Sequence, residues 1–314
     1  MQVRGRSLHF GVQLQAQRTT WQEYVAALLS VEDLGFDSAW TFDHMLPFSG
    51  PDDGACFETL TTLAAMATLT RRVRVGVLVS GVLYRDPVTL ARSAALVDHI
   101  SGGRLEFSLG AAWAEREFRT YGLPFPSLAE RYERVDEALQ IVRSLWSEER
   151  TTFAGRYYKV ADAPCEPKPI QRPHPPIMLG GSGLGSLRLA AKHATIWNMM
   201  GSPGKFAERV ELLRRCCEEV GRDFGEIELS VHPQLAVART HEEAESLASR
   251  IAAGHGQDFA SQRDNWLVGT PSEVADQIRL FARVGVSHWV IAIGHPFDMG
   301  QLRLMREEVM PLLG

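Results

Sequence analysis

Eight β-rich runs alternate with eight helical ones along this chain, and that regularity predicts an α/β fold, a TIM (β/α)8 barrel. Size agrees: such a barrel takes about 250 residues, and the chain has 314, leaving room for an insertion before the fifth strand at about residues 147–176. The runs are almost continuously apolar, as strands are when both faces of a parallel sheet are covered. A doubly wound sheet would instead show an early glycine-rich phosphate turn, whereas the first strand reads FGVQLQAQ. The expectation is one barrel domain over residues 1–314.

The elements follow in order. The first strand is His9–Leu14, and a helix opens after it with the capping box Thr20-x-x-Glu23 and ends at Gly35. A second strand at 38–42 runs into Asp43-His44, and a helix spans about 57–70. Two strands at 73–80 and 104–110 flank a helix announced by Asp86 as its cap and Pro87 at its first position, with Ser101-Gly102-Gly103 as the turn back. These strands end in the small residues Ser80-Gly81 and Gly110-Ala111-Ala112, which leave room for a ligand. Glu115 and Glu117 read as a solvated first helical turn. A long helix at 128–146 opens with a second box, Ser127-x-x-Glu130. Residues 151–160 read as a hairpin and CEPKPIQRPHPP as a connector, together a loop over the barrel mouth.

Strand five, Ile177–Gly180, meets the turn Gly180-Gly181-Ser182-Gly183, then a helix to Lys192 and strand six at 194–199. A helix at about 204–220 precedes a seventh strand at 227–237. A helix with the box Thr240-x-x-Glu243 follows, then an irregular stretch at 254–268. Thr270-Pro271-Ser272-Glu273 starts the next helix, strand eight is 288–293, and a last helix ends near Leu313.

Barrel enzymes carry their chemistry at the carboxyl ends of the strands. None of the four lysines, Lys159, Lys168, Lys192 and Lys205, falls there, so Schiff-base chemistry has no candidate. Asp43 is the one carboxylate clearly at the mouth, whereas glycoside hydrolysis needs two and magnesium-held enolate sites need several. Gln13-Leu14-Gln15 stands where a zinc hydrolase would carry His-x-His. A mouth of small, amide and indole side chains with one Asp-His pair lacks a strong nucleophile or a metal cage, and points to a large planar cofactor. The turn Gly180–Gly183 offers backbone N–H groups for its phosphate. Trp113 and Trp197 stand next to strand ends, where an indole serves either the core or a cofactor. The net charge of -5 argues against nucleic acid, and the sequence carries neither an 18-residue apolar run nor a charged-then-apolar leader. The four cysteines form no C-x-x-C motif, so a soluble cytoplasmic protein with reduced thiols and no metal is expected.

The segments GVLVSGVLYRDPVTLAR, LVDHISGGRLEFSLGAAWAEREF, AERYERVDEALQIVRSLW, FAGRYYKVADAPCEPKPIQRPHPPIMLGGSG and LVGTPSEVADQIRLFARVGVSHWVI occur in order across almost the whole chain. They resemble the luciferase-like monooxygenase superfamily, and within it the coenzyme F420-dependent oxidoreductases. The resemblance implies a deazaflavin across the barrel mouth, with Asp43 and His44 as catalytic residues and His44 the proton donor or acceptor. It implies that Leu78, Val79, Ser80 and Gly81 lie behind the ring, with a non-proline cis peptide bond near Leu78–Ser80, and that Gly110, Ala111, Ala112 and Trp113 line it. Gly180, Gly181, Ser182 and Gly183 would hold phosphate, with Trp197 and Asn198 beside them at the end of strand six. The alternatives are an FMN-dependent monooxygenase fed by a separate reductase, and a non-catalytic flavin-binding barrel. A small-molecule substrate and a homodimer are also implied. Two departures stand out. Trp113 occupies the place of a glutamate used by the sugar-phosphate dehydrogenase branch, and Thr195-Ile196 replaces an Asp-Gly pair.

Overall fold

The computed structural model describes residues 1–49 and 53–314. Its centre is a closed barrel of eight parallel strands: β1 His9–Leu14, β2 Ser38–Thr41, β3 Arg74–Val77, β4 Leu105–Leu109, β5 Ile177–Gly180, β6 Ile196–Met199, β7 Glu228–Val231 and β8 Val286–Ile293. Neighbours pair in chain order, β7 closes onto β8, and β8 pairs with β1 from His288↔His9 to Ile293↔Leu14. Each strand alternates its side chains. In β1, Phe10, Val12 and Leu14 pack against the helices, while the opposite face points into the barrel.

The barrel interior is filled by Trp40, Met178, Ile196 and Val290 with Leu78 above them. Trp40 is accommodated because glycines face it: a Cβ on Gly76 would lie 2.4 Å from its ring, and one on Gly11 would lie 2.2 Å from Ser38 Oγ. Below this layer Arg74 Nε pairs with Glu106 at 2.6 Å, and His9 Nε2 meets Ser38 Oγ at 3.0 Å.

The capping boxes at Thr20, Thr240 and Thr270 form as expected. At Ser127 only half of the box forms, because the Glu130 carboxylate turns to Arg134 at 2.7 Å instead of back to the cap. Three further expectations are corrected. The seventh strand is two strands: Pro233 has no N–H, pairing stops at Val231, and Gln234–Val237 pairs with Trp266–Gly269 inside the stretch read as irregular. The insertion forms its hairpin, Thr151–Ala154 with Lys159–Ala163, and packs it on the outer helix Leu128–Ser147, where Glu137 accepts the N–H groups of Arg156, Tyr157 and Tyr158, rather than across the mouth. Its connector is drawn to the opposite end of the barrel: buried Asp98 accepts the N–H groups of Ile170 and Gln171 at 2.7 and 3.0 Å. Gln171 also reaches Leu105 O at the start of β4. The third correction, at Glu117, belongs to the site. Among the described residues no helix is long and apolar enough to cross a membrane.

Gly76→Ala is expected to destabilise the protein by about 1–3 kcal/mol, since its methyl overlaps the enclosed Trp40 ring. A lowered chemical-denaturation midpoint checks this, and an unchanged one contradicts the interior packing.

Candidate active site

Asp43-His44 follows β2 directly, so the end of that strand delivers both side chains to the mouth. The two side chains have different partners. The Asp43 carboxylate is buried and bound by Arg85 Nη1 at 2.8 and 3.0 Å and by the Gly81 N–H at 2.9 Å. Arg85 continues to Glu58 at 2.5 Å. Asp43 therefore ties the end of β2 to the loop after β3, and its hydrogen bonds go to Arg85 and Gly81 rather than to the imidazole.

The partner of His44 is Glu117. On the short helix Glu115–Thr120, expected to be solvated, Glu117 is 1% exposed and its Oε1 lies 2.5 Å from His44 Nδ1. Its other oxygen accepts the Met45 N–H at 3.0 Å and the Tyr84 hydroxyl at 2.7 Å. Burial pushes this carboxyl up, but the bonds from His44, Met45 and Tyr84 outweigh it and hold Glu117 below the ordinary carboxylate range. Burial and the same carboxylate push the Tyr84 phenol up, so it stays a donor. Among the described residues His44 Nε2 has no partner and is not sealed from solvent, leaving one ring nitrogen for a ligand. The ring is fixed edge-on by Phe42 and by Trp113, with centroids at 5.2 and 5.4 Å. Burial, with Glu117 and Asp43 adding to it, pushes the Cys56 thiol up to about 12, so it is no nucleophile.

Beside the pair lies a floor made by β3, β4 and β5. The Leu78–Val79 peptide bond is cis, inside the segment where a non-proline cis bond was expected. Gln13 Nε2 donates to Leu78 O at 3.0 Å, and His232 lies 3.1 Å behind Gln13 Oε1. Leu78, Val79, Ala111 and Ala112 are half-buried and Trp113 is exposed, so these can meet a ligand. Ser80, Gly81 and Gly110 are buried and act from behind: a Cβ on Gly110 would lie 2.6 Å from Val79. Ala112 holds φ 55 while Arg131 binds the carbonyls of both Ala111 and Ala112.

At the rim, Gly181 (φ +121) and Gly183 are exposed and Ser182 is half-buried. The helix Leu184–His193 has Gly183 as its N-cap and no side-chain cap bond, so its first N–H groups are open to an anion. Trp197 is 0% exposed, packs on Phe206 at 5.1 Å and donates its indole N–H to Gly181 O at 2.9 Å. It shapes the turn from outside the barrel. Asn198, its neighbour, points inward to Ser230 Oγ at 2.8 Å. A phosphate-bearing planar cofactor fits this set: a floor kept low by glycine and alanine, and an uncapped helix end at its edge.

Burial lowers His232 to about 4, so it is neutral in the fold, while the unfolded chain takes up this proton below about pH 6.5. Its contribution to stability is complete above pH 6.5 and falls as pH drops toward 4. Thermal midpoints measured over that window should decline less steeply in His232→Asn; an unaltered slope would remove His232 from the account.

The sequence matches the luciferase-like monooxygenase family over residues 7–264. It is 30% identical to the F420-dependent glucose-6-phosphate dehydrogenase of Microbacterium testaceum, covering 98% of this chain and 97% of that protein. Identity to the FMNH(2)-dependent dimethylsulfone monooxygenase of Pseudomonas putida is 25%, over 95% and 90%. Among solved structures, an F420-dependent secondary alcohol dehydrogenase superposes with a TM-score of 0.85 at 19% identity, over 98% of this chain and 99% of that one, which shows the shared fold. The chain belongs to the luciferase-like monooxygenase family.

Proposed function

We propose that this protein is a coenzyme F420-dependent oxidoreductase, moving a hydride between the deazaflavin and a small-molecule substrate. The observation that carries the reading is one open imidazole nitrogen, backed by a buried carboxylate, beside a glycine-cleared floor with an anion seat at its edge. Bound there, the deazaflavin supplies a two-electron carbon centre for the hydride. The chain's own residues do the rest. The backbone and side chains of Leu78, Val79, Ala111 and Ala112 support the ring, and Gly181, Ser182 and Gly183 present N–H groups to the phosphate. His44 Nε2 takes the proton of a substrate hydroxyl, or returns it to a carbonyl oxygen. Glu117, held on Nδ1, fixes the ring and stabilises the imidazolium that forms. The buried Asp43–Arg85 pair holds the loop.

FMN is the second reading, favoured by the Pseudomonas relative. A monooxygenase must enclose an oxygen adduct, and here the hairpin of the insertion is bound to the outer helix Leu128–Ser147 through Glu137 while its connector is fastened at the far end of the barrel, so the insertion does not form that cover. Several of the similar curated proteins are named for F420, and this supports the first reading. The proposal includes cytoplasmic location, consistent with four free cysteines, and a separate enzyme that resets the coenzyme. It also includes a homodimer formed through the apolar strip of Leu96, Ile100 and neighbouring Ile170, exposed by 53, 42 and 42%.

His44→Asn should lower turnover by about 10²–10⁴ and leave coenzyme affinity unchanged. Glu117→Gln should act in the same direction, because the imidazolium loses its counter-charge. Steady-state kinetics with near-normal turnover in His44→Asn would make His44 a packing residue.

Titration of coenzyme-free protein should show at least about tenfold tighter binding of F420 than of FMN, a difference of about 1.4 kcal/mol. Tighter FMN binding with oxygen-dependent turnover would transfer the site to the second reading.

A further inference from the structure

The wall above His44 is aromatic. Trp113 follows β4 with 66% of its surface exposed, although its ring centroid lies 5.4 Å from that of His44 and 6.5 Å from that of Phe48. Phe48 also faces His44 at 5.2 Å. A large indole left open beside His44 Nε2, which is unpaired among the described residues, is a surface for a flat apolar face of a ligand. Cations around the same pocket are already engaged. Arg85 holds Asp43 and Glu58, Arg131 holds three backbone carbonyls, and Arg116 donates to Pro47 O at 2.7 Å. Lys205 starts the helix after β6, which stands opposite β2 in the eight-strand ring, across the mouth from His44.

We propose, on the basis of the oxidoreductase reading above, that the substrate is an uncharged alcohol or carbonyl compound with a flat aromatic or alicyclic body, seated on Trp113 and Phe48. Sugar phosphates are excluded, unlike the substrate for which the Microbacterium relative is named. For an alcohol, the carbinol C–H bond breaks and its hydride passes to the oxidised deazaflavin. The O–H proton goes to His44 Nε2, and the C=O bond forms. Trp113 gives the hydrocarbon body its seat, while an anion would meet desolvation by the aromatic wall with no free guanidinium among Arg85 and Arg131 to compensate it.

The test uses cyclohexanol and glucose 6-phosphate. Protein labelled with fluorotryptophan is titrated with each, the Trp113 fluorine resonance being identified by its loss in Trp113→Phe. Turnover is followed in F420-loaded protein. The resonance should move with cyclohexanol and not with glucose 6-phosphate. Trp113→Ala should raise KM for cyclohexanol by about tenfold, equivalent to about 1.4 kcal/mol, with a smaller effect on kcat. Oxidation of glucose 6-phosphate at a comparable kcat/KM, sensitive to Lys205→Ala, would overturn the proposal and place an anion seat across the mouth. An unchanged KM in Trp113→Ala would also overturn it. Coenzyme binding is read separately by F420 fluorescence: its failure removes the oxidoreductase reading, and the fluorine titration still decides between neutral and phosphorylated ligands.

Discussion

The bond between His44 Nδ1 and the buried Glu117 carboxylate is the contact on which the site depends. A carboxylate that is 1% exposed persists as an anion only if its oxygens are occupied, and here three donors occupy them. Each donor is itself placed by something else. Tyr84 stacks on Phe118 at 4.8 Å and fits because residue 81 is glycine, where a Cβ would lie 2.5 Å from its ring. Gly81 is held by Asp43, and Asp43 by Arg85. Loops after β2, β3 and β4 are thus locked into one polar assembly, and the imidazole is its outlet.

The remainder of the mouth is built by absence of bulk. Gly110 leaves space for Val79, and Gly181 takes a backbone conformation that a side chain would strain. Such a floor is indifferent to whether a flavin or a deazaflavin lies on it, which accounts physically for F420 and FMN proteins appearing among the similar sequences. Selection between them falls to what stands above the floor and to whether water and oxygen are excluded there. In this chain the aromatic wall of Trp113 and Phe48 stands above it, and the insertion is held on the outer helix Leu128–Ser147 and below the barrel.

Much of this was legible in the residues. Strand ends in small residues, three of the four capping boxes, Asp43-His44 and the turn at Gly180 all gave local signals, because caps and turns are set by neighbours in sequence. What escaped was set by distance along the chain. Glu117 lies 73 residues from His44, inside a Glu-Arg-Glu run that resembles any solvated helical turn. Asp98 pulls the connector under the barrel from the last turn of an ordinary helix. Trp197 was more readable than it was read: alternation with inward Asn198 places its indole outside the barrel. Pro233 likewise marked the break in strand seven.

In the proposed function His44 Nε2 is the proton-transfer atom, facing a ring laid over Leu78–Val79. A crystal structure with oxidised F420 and a bound alcohol tests it directly. The account predicts the ring against Leu78, Val79 and Ala111, its phosphate at Gly181–Gly183, and the alcohol oxygen within hydrogen-bond reach of His44 Nε2, about 2.6–3.2 Å. A ring seated elsewhere, or an alcohol oxygen bound by a group other than His44 with Nε2 facing solvent, would contradict it.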